Sequence, residues 1–236
     1  MTDDAENPSM SAARRIAHIA PLTTLPEKIR TSHTALIVID MQNDFCASDG
    51  FVAKGGRDVS HVQQMAKRLP ELIDHARRAG VLVVFVRCSY STDDNRFLSD
   101  VWLEQAARRQ GQGYTLAPVC QDGTFGGEYY GDIRPADGDI VVTKHRYSIF
   151  HGTDLDIILR SHGIRTVVLT GVSTHVCVET AAREAFVRDY YTVVVGDGSA
   201  AYSQQEHETA LKLVDRFFGE VVSMDDIRPL WPLRNL

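Results

Sequence analysis

"RTVVLTGVSTHVCVETAAREAF", residues 165–186, begins as a strand and continues as a helix. The first part, "RTVVLTGV", is too continuously apolar and β-branched for a strand with one solvated face, which marks a parallel strand buried on both sides. The remainder reads as a helix opening directly behind that strand, with Cys177 just inside it. The same rhythm extends outward in both directions. Further runs of the buried-strand type are "TALIVID", "VLVVFVR", "DIVVTK", "YTVVVGD" and "EVVS". Between them lie helical patterns. "SHVQQMAKRLPELIDHARRAG" ends at Gly80, and Pro70 inside it should kink or divide it. "TDLDIILRSHG" runs from a capping Thr153 to Gly163, and "SQQEHETALKLVDRFFG" opens with Ser203 and Glu206 at capping-box spacing and closes at Gly219. Strand and helix alternate throughout. The chain is therefore predicted to be an α/β fold, a three-layer α/β/α sandwich around a mostly parallel six-stranded sheet of Rossmann-like order 3-2-1-4-5-6.

A chain of 236 residues, 44% hydrophobic, suffices for one sizeable core and is short for two domains. We divide it into an arm, residues 1–30, whose "MTDDAENPSMSAARR" mixes Pro, Ser and charge, and a domain, residues 31–236. The arm would wrap the domain or a neighbouring subunit. Between Tyr90 and Asp139 the rhythm breaks into turn residues with one short helix candidate, the kind of segment that shapes a site or an interface. The net charge of −6, with basic residues scattered among acids, gives no face for a phosphate backbone, so no nucleic-acid partner is expected. No apolar run approaches the roughly 20 residues that span a bilayer, and the N-terminus lacks the apolar centre of a secretion signal. The expectation is a cytoplasmic protein with no membrane partner. Its four cysteines contain no C-x-x-C pair, which argues against a zinc site and a disulfide scaffold alike. Cys46 and Cys88 read as buried thiols, and Cys120, in the irregular segment, as the one placed to be exposed.

In open α/β sheets ligands sit beyond the carboxyl ends of the strands. The first strand ends in Asp40, the third in Lys144, and the fourth leads to Cys177. A helix start offers partial positive charge and free N–H groups to a thiolate. A nearby acid can shuttle its proton to a leaving amine, and an ammonium can act as charge partner. The N–H groups of Ser173 and Cys177 are placed to receive a tetrahedral oxyanion. Each residue has a plainer reading alone: a lone cysteine is usually a small buried hydrophobe, a strand-ending Asp a turn residue, a Lys solvated. Their joint placement favours chemistry. One difficulty is geometric, because the third strand lies at the sheet edge and Lys144 must reach across to the other two.

At these residues the chain resembles the isochorismatase-like cysteine hydrolases. "ALIVIDMQNDFC" is similar to that family's first-strand motif, "VVTKHRYSIFHGTDLDIIL" to its lysine motif and "VVLTGVSTHVCVETAAREAF" to its nucleophile motif, over about Thr34 to Ser223. The resemblance implies Asp40 as proton-transferring acid, Lys144 as its partner and Cys177 as attacking thiolate. It also implies a cis peptide before Ser173 that aims the Ser173 and Cys177 N–H groups, and homo-oligomerisation as a dimer or tetramer. Cys177 disfavours isochorismate as substrate, because true isochorismate hydrolases lack the cysteine. The Asp-x-His metal cluster of nicotinamidases has no counterpart in "DFCASDGFVAKGGRDVSHV", which offers only His61 with Asp44, Asp49 and Asp58, so no metal and no cofactor are expected. Similarity is greatest to the branch that hydrolyses small carbamoyl, ureido or amide groups, such as N-carbamoylsarcosine, ureidoacrylate and biuret hydrolases. Phe45, Tyr147, Phe150 and His175 flank the chemical residues and are the expected substrate-binding set. Three rivals stay open: an amidase for nicotinamide-like or maleamate-like substrates, a thiol redox sensor, and a catalytically silent binding subunit. A nucleotide-binding enzyme is not supported, since no G-x-G-x-x-G follows "TALIVID".

Overall fold

The β-branched runs form six strands, β1 Thr34–Ile39, β2 Leu82–Cys88, β3 Ile140–Lys144, β4 Thr166–Val172, β5 Tyr191–Ala200 and β6 Glu220–Val222. A computed structural model describes residues 20–90, 94, 96–108 and 118–234. All five strand pairs are parallel, in the order β3-β2-β1-β4-β5-β6. Every residue of β1 and β4 is buried, as their unbroken apolar patterns require. Alternate residues feed two cores. Leu36, Val38 and Val168 face a layer built on the helices Ser60–Ala66 and Leu69–Ala79, closed by Met224, Ile227 and Trp231. Ala35, Ile37, Ile39, Val167 and Leu169 face the helices Leu155–Ser161 and Glu179–Phe186. The result is the expected α/β/α sandwich.

Pro70 divides its helical pattern: the first helix ends at Ala66, and the second starts at Leu69 with Pro70 in its first turn, where the missing N–H leaves no intrahelical bond unmade. Gly80 ends that helix in a left-handed conformation, φ 77°. Thr153 Oγ1 accepts the Leu155 N–H at 3.3 Å, and Gly163, φ 66°, follows that helix. Strand β5 runs further than "YTVVVGD". Between the pairs Leu169–Val194 and Gly171–Ser199 it advances five residues while β4 advances two, and this irregularity carries it on to Ala200. Among the described residues the irregular segment holds one α-helix, Asp100–Ala107, capped by Ser99.

Of residues 1–30, numbers 1–19 lie outside the described residues. The rest packs at the amino ends of the strands, away from the carboxyl ends. A capped turn of helix spans Leu25–Lys28, Leu22 N donates to Tyr191 Oη at 2.8 Å, and Trp231 Nε1 donates to Ile29 O at 2.8 Å.

Gly171 is the tightest point between the two central strands. Its φ is +105°, a conformation L side chains rarely adopt, and a Cβ there would lie 2.1 Å from Ile39 O. Gly171→Ala must therefore strain β4 and displace the end of β1 beside Asp40. We expect a stability loss above about 3 kcal/mol. At roughly 2–4 °C per kcal/mol for a chain of this size, a thermal melt would register it, and an unchanged melt would show that the strands can separate without cost.

Candidate active site

Three strand ends bring the chemistry together. Just past β1, Asp40 adopts the left-handed conformation, φ 54°, its N–H donating to Val86 O at 2.8 Å and its C=O accepting from Gln42 N at 2.8 Å. This tight turn stops the strand and leaves Asp40 1% exposed. Beyond β4 the Val172–Ser173 peptide is cis. The chain then makes a wide π-helical turn, Thr174–Val178, before the regular helix Glu179–Phe186. Ser173 O accepts the Val176 N–H at 3.1 Å and the Val178 N–H at 3.3 Å, so the turn is pinned around Cys177. Single wide turns of this kind are frequent at functional sites.

Lys144 resolves the geometric difficulty by its stem. Adjacent strands lie about 4.8 Å apart, so edge strand β3 stands two spacings from β1. Lys144 crosses the end of β2, where Ser89 N donates to its carbonyl at 3.0 Å, and it is fully buried. Its Nζ lies 2.8 Å from Asp40 Oδ2 and 3.3 Å from Cys177 Sγ. It also donates to Arg146 O at 3.0 Å and Tyr147 O at 3.4 Å, with the Tyr90 ring 5.7 Å away. A buried ammonium with this set of acceptors is fully compensated.

The electrostatics differ from the sequence expectation at one point. Burial pushes the Cys177 thiol up and the Asp40 charge adds to it, outweighing the opposing pull of Lys144. Ionising Cys177 would leave a net negative charge in a buried place where Asp40 and Lys144 already balance. The resting thiol is therefore neutral, where a helix start and a nearby ammonium had suggested a thiolate. Burial likewise raises Asp40, with Lys144 and Cys177 acting in the opposite direction, so Asp40 is a stronger base than an exposed carboxylate. Burial works against the Lys144 charge, but the Asp40 carboxylate overcomes it and holds the ammonium protonated. A raised thiol pKa means less thiolate at any given pH. Iodoacetamide should then modify Cys177 more slowly at pH 7.5 than it modifies free cysteine, with a rate still climbing above the ordinary thiol range, as mass spectrometry would follow. Rapid labelling with a plateau at low pH would contradict this resting state.

Above Cys177 opens a cavity of about 100 Å³. Of the expected residues, Asp40, Ser173, Cys177, Phe45, Tyr147 and His175 all line it. Phe150 does not: it is 5% exposed in the core beneath the sheet, stacked 6.2 Å from Tyr190 with Arg188 4.7 Å above its ring. Its assignment as a substrate contact is corrected to a core residue, because the chain after Lys144 turns back under the sheet, where Ser148 Oγ accepts the Phe150 and His151 N–H groups. Tyr90, Tyr202 and Arg57 also line the cavity and were not singled out from sequence. The strand-end rule, applied to β2 and β5 as well, points to Tyr90 and Tyr202, each two residues past its strand. Trp102, from the helix in the irregular segment, braces Tyr90 and Tyr147 at 5.3 and 4.8 Å.

Glu206 departs from its expected capping role. Ser203 Oγ accepts the Glu206 N–H at 3.3 Å, but the carboxylate turns to Arg57 Nη2 at 2.7 Å and lies 3.7 Å from His175 Nε2. Asp44 is a backbone anchor, accepting from Cys120 N at 2.7 Å and Phe51 N at 3.0 Å, and Asp58 caps Ser60. Among the described residues no group of three or more His, Cys, Asp or Glu is placed to hold a metal ion. Cys46 and Cys88 are buried, and so is Cys120, contrary to expectation, because the Asp44 anchor draws its loop inward.

Comparison with known proteins gives consistent matches along most of the chain. The family model of the isochorismatase domain matches residues 34–226. Ureidoacrylate amidohydrolase RutB of Variovorax paradoxus is 35% identical over 222 residues, covering 88% of this chain and 85% of that protein. N-carbamoylsarcosine amidase from Thermoplasma acidophilum superposes with a TM-score of 0.63 at 31% identity, over 82% of this chain and 97% of that one. A cysteine hydrolase from Pseudomonas syringae pv. phaseolicola 1448A gives 0.74 at 25% identity, over 90% and 97%.

Proposed function

The chain belongs to the isochorismatase family, and from that premise we propose that it is a cysteine amidohydrolase cleaving the C–N bond of a small carbamoyl, ureido or amide substrate. The observation that carries this is the contact of Asp40, Lys144 and Cys177 beneath one small cavity. With the thiol neutral at rest, proton removal accompanies attack. Asp40 takes the Cys177 proton as Sγ bonds to the carbonyl carbon, and the N–H groups of Ser173 and Cys177 receive the carbonyl oxygen. Asp40 then gives that proton to the departing nitrogen, the C–N bond breaks, and a Cys177 thioester remains. A water, losing its proton to Asp40, adds to the thioester; the sulfur leaves, regains a proton, and the acid or carbamic acid is released. Lys144 stays protonated and keeps Asp40 oriented and charged. Phe45, Tyr147 and His175 form the walls against which the substrate lies.

The same reading includes a protein that acts without a cofactor in the cytoplasm, as a dimer or tetramer, with an arm of residues 1–30 on a domain of residues 31–236. Half-exposed Phe186 and Phe217, beside exposed Val187, support self-association. No helix among the described residues is long and apolar enough to cross a membrane. The test is ammonia release from a panel of carbamoyl, ureido and plain amides, with and without chelator. Turnover indifferent to chelator is the expected result. Loss of turnover under chelator would favour a metal-assisted amidase, and silence across the panel a binding or redox role.

A further inference from the structure

The break in β5 builds a second cavity. Between Val194 and Ser199 the strand leaves its register with β4, and Asp197 and Ser199 line a cavity of about 260 Å³ at the start of the helix Gln204–Phe217. It shares no lining residue with the cavity above Cys177. Its free polar groups are donors. Ser199 is 3% exposed, and its Oγ is buried with no hydrogen-bond partner among the described residues. Such a hydroxyl is costly unless something in the cavity accepts from it. Ser203 takes the Glu206 N–H through Oγ at 3.3 Å and the His207 N–H through its carbonyl at 3.2 Å, which leaves the Gln204 N–H, on the cavity wall, with no intrahelical acceptor. His207 lines the same wall, and Thr174 Oγ1 lies 2.8 Å from its Nδ1, so Nε2 is the nitrogen left for a ligand. His61, on the helix Ser60–Ala66, supplies a second imidazole. Among the described residues lining the cavity Asp197 is the one carboxylate, and both its oxygens are engaged, by Arg68 Nη1 at 2.9 Å and Met224 N at 2.7 Å.

From this arrangement we infer that the second cavity binds a phosphoryl group, free or on a small monoester, with Ser199 Oγ, the Gln204 N–H and the two imidazoles as donors. The site is independent of the reaction at Cys177. A phosphoryl group brings oxygens that only need to accept, and its negative charge suits the positive end of a 14-residue helix. The donors come from β5, from the helix start and from the helix Ser60–Ala66, so they approach from different elements. Three outward oxygens of a tetrahedral group match that spread better than the two of a planar carboxylate. A cation finds no free carboxylate, because Arg68 and Met224 already satisfy Asp197. An apolar ligand would leave the Ser199 hydroxyl unpaired.

Calorimetry on the full chain, in chloride buffer at fixed ionic strength, tests this with inorganic phosphate and with glycerol 3-phosphate. At least one of them should bind with a Kd of about 1 mM or tighter. Ser199→Ala removes only an unpartnered hydroxyl, so the fold is kept, and it should weaken that binding about 10-fold, as expected for one hydrogen bond to an anion. Arg68→Ala releases the Asp197 carboxylate on the cavity wall and should weaken binding by at least as much, through repulsion of the anion. Arg57→Gln alters only the other cavity and should leave the affinity unchanged. Binding of inorganic phosphate equal to or tighter than that of glycerol 3-phosphate assigns the free ion; tighter binding of glycerol 3-phosphate assigns a monoester. No heat from either compound at about 10 mM overturns the inference, and so does binding that Ser199→Ala leaves intact. Binding lost in Arg57→Gln but kept in Ser199→Ala would place the anion above Cys177 and overturn it as well.

Discussion

Cys177→Ala is expected to lower kcat/KM by about 10⁴-fold or more while leaving the fold intact. The structural change is small. Cys177 is 6% exposed and its resting thiol is neutral, so removing Sγ takes one weak partner from Lys144, which retains Asp40 at 2.8 Å and the Arg146 carbonyl at 3.0 Å. The chemical change is total, because without sulfur there is no thioester and the two-step route is closed. Cys177→Ser should be nearly as inactive. A hydroxyl is a much weaker acid than a thiol, and Asp40, although raised by burial, remains too weak a base to activate it. Far-UV dichroism and a thermal melt check the fold, and ammonia release measures the rate. If either variant retained more than about 1% of wild-type kcat/KM, where a lost nucleophile leaves far less, water activated by Asp40 would be the true nucleophile and Cys177 a wall residue.

How much of this site could be read from the chain depends on what kind of information each residue carries. The strands and their order follow from unbroken β-branched runs, which have no solvated face and admit only a doubly covered parallel sheet. Asp40, Lys144 and Cys177 were legible because each closes a strand or follows one, and strand ends are where topology gathers chemistry. Lys144 is instructive: strand order alone placed it too far away, and only its long stem, lying over the end of β2, closes the gap. Phe150 shows the limit. Six residues past a strand, a side chain belongs to whichever face the loop turns toward, and hydrogen bonds from Phe150 N and His151 N to Ser148 Oγ turn this one into the core. Glu206 was read as a local capping residue because capping spacing is visible in sequence, whereas its partner Arg57, 149 positions away, is not. The protonation state of Cys177 failed for a related reason. A helix start and a lysine are visible in sequence, but the burial that outweighs them is a property of the packed site.

Lys144→Met is expected to remove activity and to give the protein a new dependence of stability on pH. The pair Lys144–Asp40 is buried on both sides, 0% and 1% exposed. Removing the ammonium leaves a buried carboxylate without its main opposing charge, a loss of about 3–5 kcal/mol at neutral pH. The sign with pH follows from Asp40. Its folded pKa is already raised by burial, and without Lys144 it rises further. A group with a raised folded pKa contributes stability that is fully present below its unfolded pKa and is lost as pH rises through the folded value. The variant should therefore lie closest to the wild type near pH 4, where Asp40 is protonated, and fall behind steadily toward pH 8. In the wild type, the Lys144 pKa is itself raised in the fold, so its contribution holds across this whole window and is lost only in strong alkali. Adding Asp40→Asn to Lys144→Met should restore most of the lost stability at pH 8 and none of the activity, since the amide needs no counter-ion and carries no proton to the leaving group. Denaturant melts of the wild type, Lys144→Met, Asp40→Asn and the double variant at pH 4 and 8 close the cycle. A Lys144→Met variant as stable as wild type at pH 8 would mean that Asp40 finds water or another donor once the lysine is gone, and that charge balance does not hold these side chains in place.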